Sequence, residues 1–335
     1  MDIILKILRQ QPTQAPQFQR YRLSVQAGTT LLDCLDRVKW EQDGTLAFRK
    51  NCRNTICGSC AMGINGRSAL ACKENVGGEI DRLKAGGVLE TEDDRPVLTI
   101  TPMGNMPVMK DLIVDMKGFW QDLKAIDPYV STASRQIPER EFLQTPEQRA
   151  KLDQMGNCIL CGACYSECNA KTVNPEFPGP HALAKAYRTW VDSRDDRTEE
   201  RLEQYNQGTA GVWGCTRCYA CNAVCPMEVE PYEQIGKLKQ QILQRKTAQD
   251  SRSIRHRKVL VDLVKEGGWI DERKFGIRVV SNTFRDLPGL FSLGPLGLRM
   301  VARGKFPFTF EASEGTAQVR SLIEAVQALP PDDQC

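Results

Sequence analysis

Eight cysteines in two copies of one spacing constrain this chain more than any other feature. Residues 215–226 read CTRCYACNAVCP and residues 158–168 read CILCGACYSEC, so both stretches have the spacing C-x2-C-x2-C-x3-C. This spacing is typical of bacterial-ferredoxin iron–sulfur motifs, in which three thiolates hold one cluster and the fourth ligates a neighbouring cluster. The two motifs therefore predict a pair of cubane-type clusters that exchange their fourth ligands.

The exchange defines two ligand sets. We predict that one cluster is held by Cys158, Cys161, Cys164 and Cys225. The other cluster is predicted to be held by Cys168, Cys215, Cys218 and Cys221. Two zinc ribbons are the alternative, but zinc does not require two copies of one four-cysteine run.

A third group of cysteines lies nearer the N-terminus, in CRNTICGSCAMGINGRSALAC. Its spacing, C-x4-C-x2-C-x11-C, opens like a plant-type [2Fe–2S] loop, and its members are Cys52, Cys57, Cys60 and Cys72. Gly58 allows the backbone to pass close to a sulfide, and Asn65-Gly66 predicts a hairpin turn that returns the last cysteine to the loop. A structural zinc site is the alternative, although zinc usually takes two separated cysteine pairs.

Twelve of the fourteen cysteines belong to these groups, which leaves Cys34 and Cys335. We expect Cys34 to be a buried apolar side chain and Cys335 to be free. The chain opens MDIILKILRQQP, without a signal-peptide pattern, so we expect a reducing, cytoplasmic environment. A net charge of +3 is too small to indicate a nucleic-acid partner.

The remaining patterns predict an α+β chain with three regions. Residues 1–105 have strand patterns at 3–8, 21–25 and 97–101 and a short helix capped by Thr29 or Thr30. Residues 106–246 are predicted to be helical, with one helix beginning at Thr145-Pro146. An earlier helix is predicted from the apolar positions Leu112, Met116, Phe119, Trp120 and Leu123. Residues 247–335 form a C-terminal extension.

Nothing in the sequence supplies substrate chemistry. There is no glycine-rich dinucleotide turn and no nucleophile with its base, and we expect His181 and His256 to be surface or capping residues. Three clusters in one chain therefore predict a path for single electrons, with the reaction itself on a partner subunit.

The order of these motifs resembles the iron–sulfur subunit of succinate dehydrogenase and fumarate reductase over residues 1 to about 246. The segment between the two ferredoxin motifs also has the family's short signatures, Asn174-Pro175, Gly179-Pro180, Ala186-Tyr187-Arg188 and Asp192-Ser193-Arg194-Asp195. The resemblance implies a β-grasp [2Fe–2S] domain docked on an FAD-containing succinate dehydrogenase subunit, followed by an all-α ferredoxin domain. Electrons would pass from FAD through three clusters to quinone.

The resemblance also implies a membrane-associated or membrane-anchor subunit and a peripheral position on the cytoplasmic side of a prokaryotic membrane. Two other functions remain open. One is the iron–sulfur subunit of a menaquinol- or thiol-linked fumarate reductase, since the same clusters conduct in either direction. The other is a free-standing multi-cluster ferredoxin, which the extension and the paired domains disfavour.

Three features depart from the family. Most members lack a cysteine where this chain has Cys218, and their last cluster is [3Fe–4S]; here we predict a second [4Fe–4S] cluster, with [3Fe–4S] without Cys218 as the alternative. Near the expected quinone site, this chain has Asn169, Val173 and Thr216 in place of the family's proline, tryptophan and histidine. The usual quinone pocket therefore cannot be assigned to this chain.

The third departure is the extension. From residue 237 to residue 265 the chain has nine Lys or Arg against Asp250 and Asp262, with apolar positions at 254, 260, 261, 263 and 264 and a stop at Gly267-Gly268. Such a helix suits an anionic membrane surface or an acidic partner, or it is an ordinary solvated face. Residues 286–310 are apolar, basic and rich in glycine and proline, and we predict that they dock on a membrane-associated subunit.

Overall fold

The computed structural model describes residues 1–11, 15–245 and 252–329. It divides into two compact units, residues 1–238 and residues 239–335. The first unit contains a mixed sheet followed by helices, which confirms the α+β class. The region boundaries predicted after residues 105 and 246 stay predictions.

A six-stranded sheet forms the N-terminal part of the first unit. Its strands follow the order β2-β1-β6-β3-β4, with β5 paired to β6, and only β1 and β6 run parallel. Their bounds are β1 Asp2–Arg9, β2 Gln17–Ser24, β3 Ala61–Ile64, β4 Arg67–Leu70, β5 Thr91–Glu92 and β6 Arg95–Thr101. The three predicted strands are therefore confirmed.

Two helices, α1 (Leu31–Arg37) and α2 (Val76–Ala85), accompany this sheet. The Thr30 hydroxyl accepts a hydrogen bond from the Asp33 backbone N–H at 3.1 Å, which confirms one of the two predicted caps. Asn65 and Gly66 have φ angles of 47° and 80°, as a type I′ hairpin requires. Cys34 is fully buried, as predicted.

The helix predicted from residue 112 begins later. Residues Val108–Lys110 (β7) and Ile113–Val114 (β8) form a hairpin, and α3 covers Lys117–Ala125. Asp111 has a φ of 48°, and its buried carboxylate accepts hydrogen bonds from the backbone N–H groups of Gln10 and Ala47. These long-range bonds hold the hairpin against the sheet, and the pairing of β8 with β7 keeps Ile113 and Val114 extended, so the helix begins only at Lys117. The helix predicted from the spacing of apolar residues is therefore wrong at Leu112.

The rest of the first unit is helical. Thr145 caps α4 through a capping box with Gln148, as the Thr-Pro pair predicted. The helices are α4 Pro146–Gly156, α5 Ala163–Ser166, α6 Asn169–Val173, α7 Gly179–Val191, α8 Thr198–Tyr205, α9 Ala220–Ala223 and α10 Pro231–Gln244. Single 3₁₀ turns at Gly208–Ala210 and Val212–Gly214 precede the last cysteine motif.

Among the described residues from 252 to 329, the second unit contains five further helices. They are α11 Arg252–Gly267, α12 Glu272–Val280, α13 Leu287–Ser292, α14 Gly294–Ala302 and α15 Thr316–Ala328. Helix α11 ends at Gly267, and Gly268 has a φ of 79°, which confirms the predicted stop. Residues 246–251 of the basic segment and Cys335 lie outside the described residues. Within the described ranges, no helix is long and apolar enough to cross a membrane.

Candidate iron–sulfur centres

The N-terminal cysteine loop directs backbone N–H groups at its own sulfur atoms. The Cys52 Sγ accepts hydrogen bonds from the N–H groups of Asn54 (3.3 Å) and Cys57 (3.4 Å). The Cys72 Sγ accepts one from the Thr55 N–H at 3.4 Å, so the distant cysteine does return to the loop. Left-handed φ angles at residues 53, 55 and 58 produce these turns. Such bonds stabilise thiolates, which are the form that binds iron.

The pKa values of two thiols in this loop are shifted in opposite directions. Burial raises the pKa of Cys57, but hydrogen bonds from Ser59 and Cys52 outweigh it and lower that pKa to about 6. Burial raises the pKa of Cys60 to about 12, and the neighbouring Cys72 and Cys57 add to that shift. Cys57 therefore favours the thiolate form without a metal, whereas the buried Cys60 needs a cationic metal to lose its proton.

The two ferredoxin motifs meet at a cavity, which we call the second cavity because the N-terminal cysteine loop forms the first centre. It is lined by four cysteines, namely Cys158, Cys161, Cys164 and Cys225. The exchanged cysteine, Cys225, accepts a hydrogen bond on its Sγ from the Val229 N–H at 3.4 Å. Burial raises the pKa of Cys161 to about 11 and that of Cys164 well above its usual value. Other walls are apolar, including Ile159 and Leu160.

A third cavity contains the complementary set. Its sulfur lining consists of Cys168, Cys215, Cys218 and Cys221. Burial raises the pKa of Cys221 to about 12, and it also raises that of Cys168. Cys218 differs because its side chain is exposed, next to the exposed Thr216. The structure thus places the fourth thiol at the solvent-facing wall of the third cavity.

The donor sets fit iron–sulfur clusters. Each group offers four sulfur atoms, and the second and third surround apolar cavities in which uncompensated thiolates are unfavourable. In the described part of the chain, no group of three or more His, Cys, Asp or Glu residues is arranged to hold a single metal ion.

The first and second centres are joined by close packing and by hydrogen bonds. A Cβ atom on Gly58 would lie 2.9 Å from the Cα of Cys161, so the two cysteine loops meet without a side chain between them. Nearby, the Ser68 N–H and hydroxyl both donate to Glu167 Oε1, at 2.8 and 2.7 Å. The Gly104 N–H donates to Ser166 Oγ at 2.7 Å. Sequence reasoning missed this polar junction, because no motif marks it.

His181 is not a surface residue, which corrects our prediction. It is 2% exposed, its ring stacks on Phe119 with 3.8 Å between ring centroids, and its Nε2 lies 3.0 Å from the Phe119 carbonyl oxygen. Its side chain also lines the second cavity. Burial lowers its pKa to about 3. His256, the other histidine, is exposed, as predicted.

The family signature after α7 is a structural element. Arg201 is fully buried and donates from Nε and Nη2 to the Asp195 carboxylate, both at 2.9 Å. Its guanidinium also donates to the carbonyl oxygens of Asp127 and Tyr129. Arg201 thereby holds residues 127–131 against the helices. Sequence analysis did not identify this arginine.

Two family profiles match the chain. One describes a 2Fe-2S iron-sulfur cluster binding domain and covers residues 4–121; the other describes a 4Fe-4S dicluster domain and covers residues 154–229. Between them they include all twelve grouped cysteines.

Characterised relatives resemble the chain over most of its length. It is 36% identical to the mitochondrial succinate dehydrogenase [ubiquinone] iron-sulfur subunit 3 of Arabidopsis thaliana over 68% of this chain and 70% of that protein. It is 38% identical to the fumarate reductase iron-sulfur subunit of Escherichia coli over 69% and 88%. A chain of the Mycobacterium smegmatis Sdh1 complex in the apo form superposes with a TM-score of 0.62 at 25% identity, over 75% of this chain and 99% of that one.

Proposed function

This chain belongs to the family of succinate dehydrogenase and fumarate reductase iron–sulfur subunits, and from that premise we propose that it conducts electrons from an FAD-containing subunit towards quinone. One observation supports this most directly: twelve cysteines form three groups of four, in the order that two matching cluster domains require. Iron–sulfur clusters accept and pass single electrons.

We assign the ligands as the motifs predict. The [2Fe–2S] set is Cys52, Cys57, Cys60 and Cys72, the first [4Fe–4S] set is Cys158, Cys161, Cys164 and Cys225, and the last set is Cys168, Cys215, Cys218 and Cys221. The chain's own residues keep these sets adjacent. Gly58 meets Cys161 between the first two, and helix α5, which carries Cys164, packs against helix α9, which carries Cys221. Apolar residues line the second and third cavities beside the cysteines, and they lower the polarity around these two sets.

The FAD-containing subunit is proposed to cover the [2Fe–2S] loop. Ile56, inside that loop, is 64% exposed, and Trp40 nearby in sequence is 67% exposed. Large apolar side chains at such exposure are typical of a surface that a partner covers. Dicarboxylate chemistry belongs to that partner, since the chain itself offers only electron transfer.

For the last centre we propose a second [4Fe–4S] cluster that uses Cys218. The thiol lines the same cavity as Cys168, Cys215 and Cys221, which supports a fourth ligand rather than a bystander. A three-iron cluster without Cys218 is the alternative. Because the Cys218 thiol is exposed to solvent, we expect an oxidant to reach this ligand first.

We propose that quinone accepts the electrons near the third cavity, at a membrane surface. Val173 is 81% exposed and Thr216 is exposed beside the third cavity, so a partner subunit is needed to build a closed quinone site around them. We place the complex peripherally at the cytoplasmic face of a prokaryotic membrane. Fumarate reduction is the second candidate, because the fumarate reductase relative is as similar as the succinate dehydrogenase relatives.

Co-purification tests the proposal. The native complex should contain a flavoprotein, and succinate should bleach the visible absorbance of its clusters within a turnover. If the complex also works in reverse, quinol should reduce the clusters and fumarate should reoxidise them through the flavin. Purification of the chain alone at 37.6 kDa, or clusters that do not respond to succinate in a flavin-containing complex, would contradict it.

A further inference from the structure

We propose that residues 284–310, the apolar arm, bind directly to the surface of an anionic lipid bilayer. The arm contains α13 and α14 and lies entirely in the second compact unit. Its proposed ligand is lipid headgroups and the acyl boundary beneath them, without a protein receptor. This inference is independent of the cysteine centres.

Exposed apolar side chains define the arm. Phe291 is 76% exposed, Leu298 73% and Phe308 70%, and four more large apolar residues are also exposed, namely Phe284, Leu287, Leu296 and Val301. Leu287 and Phe291 are four residues apart on α13, and Leu298 and Val301 are three apart on α14, so each helix presents an apolar face. Exposure of this much apolar surface to water is unfavourable.

After Asp286, the charges of the arm have one sign. Residues 287–310 contain no Asp or Glu, and their three charged side chains are Arg299, Arg303 and Lys305. All three are exposed, and none has an ion-pair partner among the residues that the structure describes. Cations beside exposed leucine and phenylalanine match the headgroup boundary of an anionic membrane, where both features are satisfied together. This complementarity favours lipid over an acidic protein groove.

The arm is held in place at both ends. At its start, the Asp286 carboxylate accepts a hydrogen bond from the Gly289 N–H at 2.9 Å, and Gly289 itself lies against the Val280 carbonyl oxygen of α12. Near its end, Arg273 Nη1 donates to the Phe308 carbonyl oxygen at 2.8 Å. The Trp269 Nε1 donates to the Glu311 carbonyl oxygen at 2.7 Å. These bonds hold both ends of the arm while its apolar side chains remain exposed.

The helices of the arm are suited to lying on a bilayer. Helix α13 has six residues and α14 has nine, which is far short of the roughly 20 that span a hydrocarbon core. Only Leu293 lies between them, and Gly294 and Pro295 begin α14, so the helix is interrupted there and two short segments replace one long one. An in-plane attachment is therefore the expected geometry.

Vesicle flotation of the purified full-length complex tests the inference. The probes are protein-free vesicles of phosphatidylcholine with 30% phosphatidylglycerol and vesicles of phosphatidylcholine alone. The wild-type complex should float with the anionic vesicles, and its partition coefficient should be at least about tenfold lower on the neutral ones, because three unpaired cations face the lipid. Raising the salt concentration should reduce the difference.

Two variants separate charge from apolar contact. Arg299→Gln with Arg303→Gln and Lys305→Gln should lower binding to anionic vesicles about tenfold or more and remove its salt dependence. Phe291→Ser with Leu298→Ser should lower binding to both kinds of vesicle. The charge control is Lys117→Gln, Arg149→Gln and Lys151→Gln, and the apolar control is Ile137→Ser with Leu143→Ser; all these residues are exposed and lie outside the arm.

Unchanged binding by both arm variants, equal loss in the controls, or no flotation of the wild type would overturn the proposal. Binding to native membranes without binding to protein-free vesicles would also overturn it, because the occupant would then be a protein. Cluster absorbance reports folding of each variant. Loss of succinate-dependent bleaching with intact flotation would instead contradict the electron-transfer function alone.

Discussion

Gly58 and Cys161 approach so closely that a Cβ atom on the glycine would lie 2.9 Å from both Cα and Cβ of the cysteine. One residue belongs to the N-terminal cysteine loop and the other to the first ferredoxin motif. The contact shortens the through-protein path between two adjacent centres, and the φ of +69° at Gly58 is possible there because the residue has no side chain.

Gly58→Ala should therefore separate these loops. We expect a loss of about 2–5 kcal/mol from strain at positive φ and from overpacking against backbone. Thermal unfolding and the iron content of the purified complex measure it. Gly66→Ala is the matched control, since its φ is +80° but nothing lies within 4 Å of the added methyl group. Equal destabilisation by both would show that the contact with Cys161 is unimportant.

Cys218→Ser should change the type of the third cluster. If the exposed thiol ligates iron, the variant should lose about one iron per chain, and the air-oxidised complex should gain a three-iron EPR signal. Cys34→Ser, which alters a buried cysteine outside all three groups, should leave iron content and EPR unchanged. A three-iron signal at full occupancy in the wild-type complex would refute the second [4Fe–4S] assignment.

Arg201→Met should destabilise the helical domain by about 3–5 kcal/mol, because the Asp195 carboxylate would stay buried without its partner. Arg197→Met, which breaks partly exposed pairs with Glu200 and Asp127, should cost at most about 1 kcal/mol. Thermal unfolding of both variants gives the comparison. Similar losses would mean that burial does not decide the contribution of these pairs.

The same ion pair predicts a pH dependence. Burial raises the pKa of Asp195, but the hydrogen bonds from Arg201 outweigh it and lower that pKa below the ordinary 3.8. The folded state therefore binds fewer protons than the unfolded state, and the contribution is complete above pH 3.8 and declines as the pH falls below it. Thermal midpoints between pH 5 and pH 3 should fall less steeply in Asp195→Asn than in the wild type. An identical slope would contradict the assignment.

Glu167→Ala should loosen the junction between the sheet and the ferredoxin helices. The Ser68 N–H and hydroxyl would lose their shared acceptor in a largely buried position, at a cost of about 1–3 kcal/mol. Limited proteolysis should then cut between residues 105 and 145 more rapidly. Glu176→Ala, at an exposed site, is the control, and equal protease resistance of the two variants would argue against a role for Glu167.

The sequence alone determined the local features. Metal-ligand spacing, the Asn65-Gly66 turn, the Thr145-Pro146 cap and the Gly268 stop each depend on a few adjacent residues, so their chemistry is legible without a fold. The exchange of Cys168 and Cys225 between the motifs stays a prediction from their spacing, and the cysteines that line the second and third cavities support it.

Tertiary structure decided the rest, because burial depends on residues that are distant in sequence. Asp111 holds the hairpin that replaces the start of the helix predicted from residue 112. It does so through hydrogen bonds to Gln10 and Ala47, which no local pattern indicates. His181 became a core residue because Phe119 lies over its ring, and Arg201 acquired its role from carbonyl oxygens more than 70 residues away. Periodicity and composition report what one segment can do, whereas long-range packing and hydrogen bonds select which possibility the folded chain adopts.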